Sequence, residues 1–237
     1  MAYLVEAGQS SSIEAVMRLT GALGLRLDIE LADPRKREHR PNLSADEVHS
    51  AIGEFEARHL RQRGVPIGMD EPYQHYQFAG RADLIAWDIE RRAFLHIENR
   101  TRFPNFQEMA GAFNNKKSYL GAVIAERARV RNWASETHVM AALWSSEVLH
   151  ALRLRTESFR ALCPDDPEAF GYWWNGQIPP SGKRALFVVV DPLATNRQRA
   201  WISLDEALTA RPRYRGYSEA ASRLAMNGPT AAARSSG

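Results

Sequence analysis

Two short apolar runs, each interrupted by one carboxylate, are the part of this sequence best suited to chemistry. Asp83 lies in the run over residues 80–88, and Glu98 lies in the run over residues 95–101. Their length, β-branched content and turn-like flanks predict two strands joined by a short polar link. A hairpin centred on Glu90 and Arg91 would place Asp83 directly opposite Glu98.

Two carboxylates facing each other on a hairpin repel, because their β-carbons are about 4.5–5.5 Å apart. A divalent cation would offset that repulsion, and Mg²⁺ is often held by one or two carboxylates together with waters. The same register places Arg81 opposite Arg100, so a salt-bridge network of two acids and two arginines is the alternative. Spacing alone slightly favours the network, and an odd-length loop would send the acids to opposite faces.

Capping patterns and hydrophobic periodicity predict the elements that must position these residues. The expected elements are a helix over 11–23, a strand over 25–31, a helix from Ser44 to about Gly64, three strands beginning with 71–78, a long helix from Asn105, a strand over 137–144, a helix over 147–162, a strand over 185–190 and a short helix over 203–209. From residue 44 onward this order predicts an α/β arrangement, in which an antiparallel meander continues through a crossover helix into a further strand.

The composition is ordinary for a soluble globular protein, with 44% hydrophobic and 25% charged residues among 237. No apolar run approaches the ~18 residues that suggest a membrane span, and the N-terminus lacks the features of a secretory signal. Cys163 is the only cysteine, which excludes an intrachain disulfide and a cysteine-rich zinc site. We therefore expect a cytoplasmic protein with no membrane partner. The net charge of +3 permits nucleic-acid binding without arguing strongly for it.

The hairpin and the helix after it resemble the PD-(D/E)XK nuclease superfamily over roughly residues 44–145. Asp83 matches the first acid, with Ala82 where the family often has proline, and Glu98 matches the second acid. The resemblance implies a restriction-endonuclease-like fold, a mixed central sheet flanked by helices. It also implies a Mg²⁺ cofactor held by Asp83, Glu98 and the backbone carbonyl of Asn99.

Arg100 stands where the family usually has lysine, and it decides how much chemistry the resemblance implies. A lysine there can orient the attacking water, whereas arginine stays protonated and cannot act as a base. Arginine can still stabilise an anionic transition state. Arg100 is a candidate catalytic residue. Arginine in place of lysine is compatible with slow cleavage, with no cleavage, and with a domain that only binds phosphate. The simplest alternative is that Arg100 pairs with Asp83 or Glu98.

The neighbouring helices and strands supply further candidates. The family uses a glutamine and a basic residue on the long helix, which implies Gln107 as a catalytic residue and Lys117 as a supporting or DNA-contacting one. Solvation of the helix surface is the alternative for both, and the better explanation of Asn114. The remaining supporting candidates are Glu54, with Glu47 and Glu56 as rivals, Arg81 and His96.

The aromatic run Tyr172–Trp174 lies in a region that reads as a loop. It could stack on bases, but capping the hydrophobic core is the simpler role.

The N-terminal residues resemble the C-terminal half of a Cro-like helix-turn-helix domain, through Glu6-Ala7-Gly8 and Ala22-Leu23-Gly24. The chain starts about where the recognition helix should finish, so we expect a remnant. Because a helix-turn-helix reads DNA through that helix, a packing or dimerisation role is favoured, and a homodimer is one expectation.

Bacterial regulators that pair such a domain with a nuclease-like domain exist, and this chain is similar to them. The expected organisation is a helix-turn-helix remnant plus strand over 1–33, a linker over 34–43, a nuclease-like domain over 44–226 and a disordered tail over 227–237. The expected function is DNA binding, with Mg²⁺-dependent endodeoxyribonuclease activity if the site is active. The alternative is a catalytically inactive transcriptional regulator or interaction protein that retains the fold.

Overall fold

A computed structural model describes Ala22, residues 47–76 and residues 78–227. The residues from 47 onward belong to one structural unit built on a six-stranded sheet. Ala22 is helical and exposed. The rest of the expected helix over 11–23, the strand over 25–31, the linker and the expected disorder of residues 228–237 lie outside the described residues.

The sheet is mixed, and its six strands are arranged in the order in which they follow one another along the chain. The strands are β1 (Ile67–His75), β2 (Phe78–Asp88), β3 (Ala93–Arg100), β4 (Ser135–Leu143), β5 (Gly182–Val190) and β6 (Trp201–Ser203). The pairs β3–β4 and β4–β5 are parallel, and the other neighbours are antiparallel. This confirms the predicted meander followed by a crossover.

Helices cover both faces of the sheet. They are α1 (Glu47–Gln62), α2 (Phe106–Arg127), α3 (Ser146–Leu154), α4 (Thr156–Leu162), α5 (Glu168–Trp174), α6 (Leu204–Thr209) and α7 (Tyr217–Asn227), with a short 3₁₀ helix over Arg197–Arg199. Buried residues of α1, α5 and α7 form one core cluster with Ile97 and Val139 of the sheet. Buried residues of α2, α3, α4 and α6 pack on the other face, against side chains such as Phe94 and Met140. The α/β class and the helix-flanked mixed sheet are thus as predicted.

Local signals placed the central hairpin and the long helix correctly. The β2–β3 pairs run from Asp88–Ala93 to Leu84–Ile97, which is the predicted register. The pairing ends there, so the expectation that Asp83 lies directly opposite Glu98 was wrong. Asn105 caps α2 as expected, because its side chain accepts a hydrogen bond from the backbone N–H of Glu108. Both features depend on residues a few positions apart.

Several predicted boundaries were wrong. Strand β1 starts at Ile67 rather than at residue 71. The start was missed because Gly68 and Asp70 are residues typical of turns, and the backbone of Asp70 departs from the extended conformation, with a φ of 49°. The helix expected over 147–162 is two helices, separated at Arg155, whose backbone leaves the helical region. There the Thr156 hydroxyl bonds back to the Leu152 carbonyl and competes with the helical pattern.

The aromatic run expected in a loop belongs to α5. Trp173 and Trp174 are buried, and their indole N–H groups donate to Thr137 and to the backbone carbonyl of Arg197. These rings therefore cap the core, the simpler of the two roles considered. Strand β6 and helix α7 were not predicted.

Candidate functional site

Asp83 lies where the regular alternation of β2 is interrupted. Ala82 and Leu84, two residues apart, belong to core clusters on opposite faces of the sheet. At Asp83 the carboxylate accepts a hydrogen bond from the backbone N–H of Asn99 at 2.7 Å, and Nε2 of His49 on α1 lies 3.5 Å from the same oxygen. The interruption therefore directs Asp83 toward α1.

Glu98 is 2% exposed and is surrounded by positive groups. Lys116 of α2 donates to both carboxylate oxygens at 2.6 and 2.5 Å, and Arg100 donates to one of them at 2.9 Å. Nε2 of His96 lies 3.1 Å from the other oxygen. Burial alone would raise the pKa of Glu98. The hydrogen bond from His96 and the charges of Lys116, His96 and Arg100 outweigh burial and hold that pKa well below its usual value.

A buried chain of hydrogen bonds continues from Glu98 into the next strand. Nδ1 of His96 lies 3.2 Å from Nδ1 of His138, whose Nε2 lies 2.7 Å from Oε1 of Glu136. Ionised carboxylates only accept hydrogen bonds, so both Nε2 atoms carry protons and one proton is needed between the Nδ1 atoms. Burial is the largest influence on His138 and lowers its pKa to about 4.

The guanidinium of Arg100 contacts all three groups expected to bind Mg²⁺. It donates to the carbonyl oxygen of Asn99 at 2.8 Å and to Glu98 at 2.9 Å, and its Nη1 lies 3.8 Å from Oδ2 of Asp83. The donor set is all oxygen, as Mg²⁺ prefers. Each of these oxygen ligands already contacts the guanidinium of Arg100, so the residues as arranged do not fit a bound Mg²⁺.

The rest of the described chain offers no metal centre either. Within residues 47–76 and 78–227, no group of three or more His, Cys, Asp or Glu side chains could hold a metal ion.

Glu56, on α1, is a second buried glutamate near the site and differs sharply from Glu98. Neither its carboxylate nor the side-chain amide of Asn99 has a hydrogen-bond partner of good geometry in the described part of the chain. Burial raises the pKa of Glu56 to about 8, the nearby Asn99 amide opposes this shift, and the charge of Asp83 adds to it by a smaller amount. Glu56 is therefore largely protonated at neutral pH.

Of three predicted supporting residues, two lie elsewhere than expected. Glu54 is exposed on the outer side of α1, whereas its rival Glu56 faces the site. Arg81 pairs with Asp70 at 2.5 Å instead of joining Arg100, because the interruption at Asp83 turns that end of β2 away. His96 does contact Glu98, as its shared strand face predicted.

On the long helix, the structure brings Lys116 rather than Lys117 to Glu98. Lys117 is half-buried and lies close enough to Cys163 for its charge to lower the pKa of that thiol, against the larger effect of burial. Gln107 is exposed at the start of α2 and lines a separate depression with Phe106 and Arg155. The spacing of Met109, Phe113, Lys116 and Leu120 carried the missing signal, because Lys116 occupies a position of the apolar stripe.

A cleft of about 370 Å³ opens beside Arg100. Basic side chains lining it come from α1, from the end of β3 and from the segment after it: His49, Arg100 and Arg102. Phe103 and Met109 contribute apolar walls, and Arg102 lies 5.4 Å from the ring centre of Tyr217. Glu108 is the one acid among the described residues of the lining, so the arginines give the cleft a net positive charge at the mouth of the carboxylate site.

Comparison with known proteins does not assign this chain to a family. No protein-family model matches it, and no curated protein matches it. Among the helices of the described residues, none is long and apolar enough to cross a membrane.

Proposed function

We propose that this chain is a DNA-binding protein whose domain has a restriction-endonuclease-like fold of the PD-(D/E)XK type, and that it binds DNA without cutting it. The observation that carries the proposal is the position of Arg100, which contacts all three expected metal ligands. A built-in guanidinium supplies the positive charge that a metal ion would otherwise supply. A regulatory role fits such a domain better than a degradative one.

The cleft beside Arg100 is the proposed DNA contact. Arg102 is exposed and forms no ion pair among the residues described, so its guanidinium is available for a phosphate. Arginine presents a planar set of donors that matches two phosphate oxygens at once. The charge of Arg100 is partly neutralised by Glu98. Arg100 would therefore attract the DNA backbone less strongly than Arg102.

Mg²⁺-dependent phosphodiester hydrolysis is the second candidate. Its support is that two carboxylates and a carbonyl converge on one guanidinium, so movement of Arg100 would leave an all-oxygen group of ligands. Lys116 then stands beside Glu98 as the basic group that the position of Arg100 lacks. This candidate requires Arg100 to leave its three partners, which the first does not.

A cleavage and retardation experiment separates the two candidates. Supercoiled plasmid would be incubated with wild type, Asp83→Ala and Arg100→Lys in Mg²⁺, in Mn²⁺ and in EDTA. We expect DNA retardation in EDTA and no nicking by wild type. Nicking that requires metal and disappears in Asp83→Ala would overturn the proposal in favour of hydrolysis.

The role of the cleft is tested by Arg102→Ala against Arg91→Ala. Arg91 is also exposed but pairs with Asp88 at the far end of the hairpin. We expect Arg102→Ala to weaken DNA binding several-fold and Arg91→Ala to leave it unchanged. Equal effects of the two variants would show that the cleft is not the contact.

A further inference from the structure

A second group of basic side chains lies on α1 and on the 3₁₀ helix, away from the carboxylates. We name it the arginine patch, and it consists of Arg58, Arg63 and Arg197: the charge of Arg58 acts on Arg197, and the charges of Arg63 and Arg197 act on His59. Arg58 follows His49 by nine residues on α1, which is about 14 Å along the helix axis. None of the three arginines forms an ion pair within the described ranges.

Trp174 is the buried platform that holds the patch together. The ring of His59 stacks on Trp174 with centroids 3.9 Å apart, and the Trp174 indole donates to the carbonyl oxygen of Arg197 at 2.9 Å. The guanidinium of Arg197 lies 4.0 Å from the ring centre of Phe55. Arg63 closes the other side, since a β-carbon on Gly176 would lie 3.0 Å from that of Arg63. Arg197 is therefore held by the core beneath it, and Arg63 packs beside Gly176 through its stem.

The charges of the patch act on one another without compensation. Nη1 of Arg197 is buried and has no hydrogen-bond partner in the part of the chain that the structure describes. Burial and the charge of Arg58 both lower the pKa of Arg197. Burial lowers the pKa of His59, and the charges of Arg63 and Arg197 lower it further against the bond to Trp174. A bound anion at the surface of the patch would relieve this repulsion.

The surroundings of the patch favour a nucleic acid over a protein as the anion. Protein interfaces gain most of their affinity from aromatic or aliphatic anchors at their centre. The large apolar side chains that the described residues expose are Tyr76, Ile89, Leu154 and Met226, and none belongs to the patch. Binding to a nucleic-acid backbone, by contrast, depends chiefly on cationic contacts to phosphates.

We propose that the arginine patch binds the phosphate backbone of duplex DNA, as a second contact surface besides the cleft at Arg102. The inference rests on the proposed DNA-binding function and adds to it a footprint. A duplex that contacts both surfaces must pass along α1, from the end near His49 to the end near Arg63.

The test is the salt dependence of duplex binding by the full chain. Each lost phosphate contact reduces the slope of log K against log salt concentration by about 0.9. We expect the double variant Arg58→Ala/Arg63→Ala, which alters two exposed side chains, to reduce the slope by about 2 and the affinity at moderate salt by more than tenfold. Arg197→Gln gives a second, independent variant, with its melting temperature measured to confirm folding.

Arg160→Ala is the matched control, because Arg160 is exposed but already pairs with Glu157 and Asp205. It should leave the slope unchanged. If wild type binds DNA and Arg102→Ala weakens binding, but the double variant keeps the wild-type slope, the inference is wrong and the proposed function stands. If wild type binds no DNA, both are wrong. If the double variant instead loses binding to polyglutamate while its DNA slope is unchanged, the patch serves an acidic polypeptide and the DNA assignment is overturned.

Discussion

Glu98 and Glu56 are two buried glutamates on either side of β3, and they stand in opposite charge states. Glu98 faces α2 and has Lys116, Arg100 and His96 as partners, so its pKa is lowered. Glu56 lies in α1 without a partner of good geometry, and its pKa is about 8. Burial is nearly the same for both. The difference teaches that the supply of positive groups, rather than burial, decides which acid of this domain is charged.

The two basic regions, around Arg100 and around Arg197, differ in the same way: only one of them has its charge balanced by groups of the chain. Arg100 is held by acids and a carbonyl of its own chain, whereas Arg197 lacks any such partner among the described residues. A group whose charge is already balanced gains little from an external ion. We therefore expect external anions to bind where the internal balance is missing.

The largest expected effect concerns Glu56. Its pKa is about 8 in the folded chain against an ordinary value of 4.5, so the folded state keeps a proton that the unfolded state releases between these values. The stability contributed by protonated Glu56 is complete below pH 4.5 and is lost as pH rises through 8. Relative to Glu56→Gln, the free energy of unfolding of wild type should fall by roughly 4–5 kcal/mol over this range, measured by urea denaturation.

Glu54→Gln is the control for this measurement, because it changes an exposed acid on the same helix. Its pH profile should follow that of wild type. Parallel profiles of wild type and Glu56→Gln between pH 5 and 8 would show that Glu56 is not a buried neutral acid.

A smaller effect is expected at the charged glutamate. Lys116→Met removes one of the partners of Glu98 and leaves a buried carboxylate less compensated, which typically costs 3–5 kcal/mol. Because Arg100 and His96 remain, we expect a loss of about 3 kcal/mol in urea denaturation.

Two further variants sharpen this prediction. Lys117→Met changes the neighbouring lysine, which has no ion pair among residues 47–76 and 78–227, and should cost far less. The double variant Lys116→Met/Glu98→Gln should recover part of the loss, since no uncompensated charge remains. A double variant less stable than Lys116→Met alone would contradict the partner argument.

The smallest effect is expected at Arg160, an arginine on the surface. Arg160 bonds Glu157 and Asp205 at 3.0 and 2.9 Å, but these groups are exposed and solvent screens their attraction. Arg160→Ala should therefore leave the thermal midpoint unchanged within error. A clear drop would mean that exposed pairs matter here as much as buried ones.

The sequence predicted those parts of the structure that depend on nearby residues. The turn between Asp88 and Ala93 sets the hairpin register, and the Asn105 side chain starts α2, so both were accessible from local patterns. The position of Arg81 was predicted wrongly because β2 is irregular at Asp83, so that the side chains before Asp83 face the opposite side from the one that strict alternation predicts.

The rest of the site depends on packing between distant segments. Glu56 and His138 acquire their environments from α1 lying over β3 and from the pairing of β3 with β4. No spacing within the sequence states which helix face meets which strand. Lys116 was an intermediate case, since its place in an apolar stripe was visible but its partner was not.

The contact between His96 and His138 has a consequence for how the sheet chooses its alignment during folding. These residues sit side by side in the parallel β3–β4 pair, where apolar residues such as Leu95, Ile97 and Val139 would tolerate sliding. A one-residue slip would turn one imidazole to the opposite layer and strand the other in the core without its shared proton. The hydrogen bond between the two imidazoles thus disfavours misaligned pairings of β3 and β4 that hydrophobic burial alone would hardly distinguish.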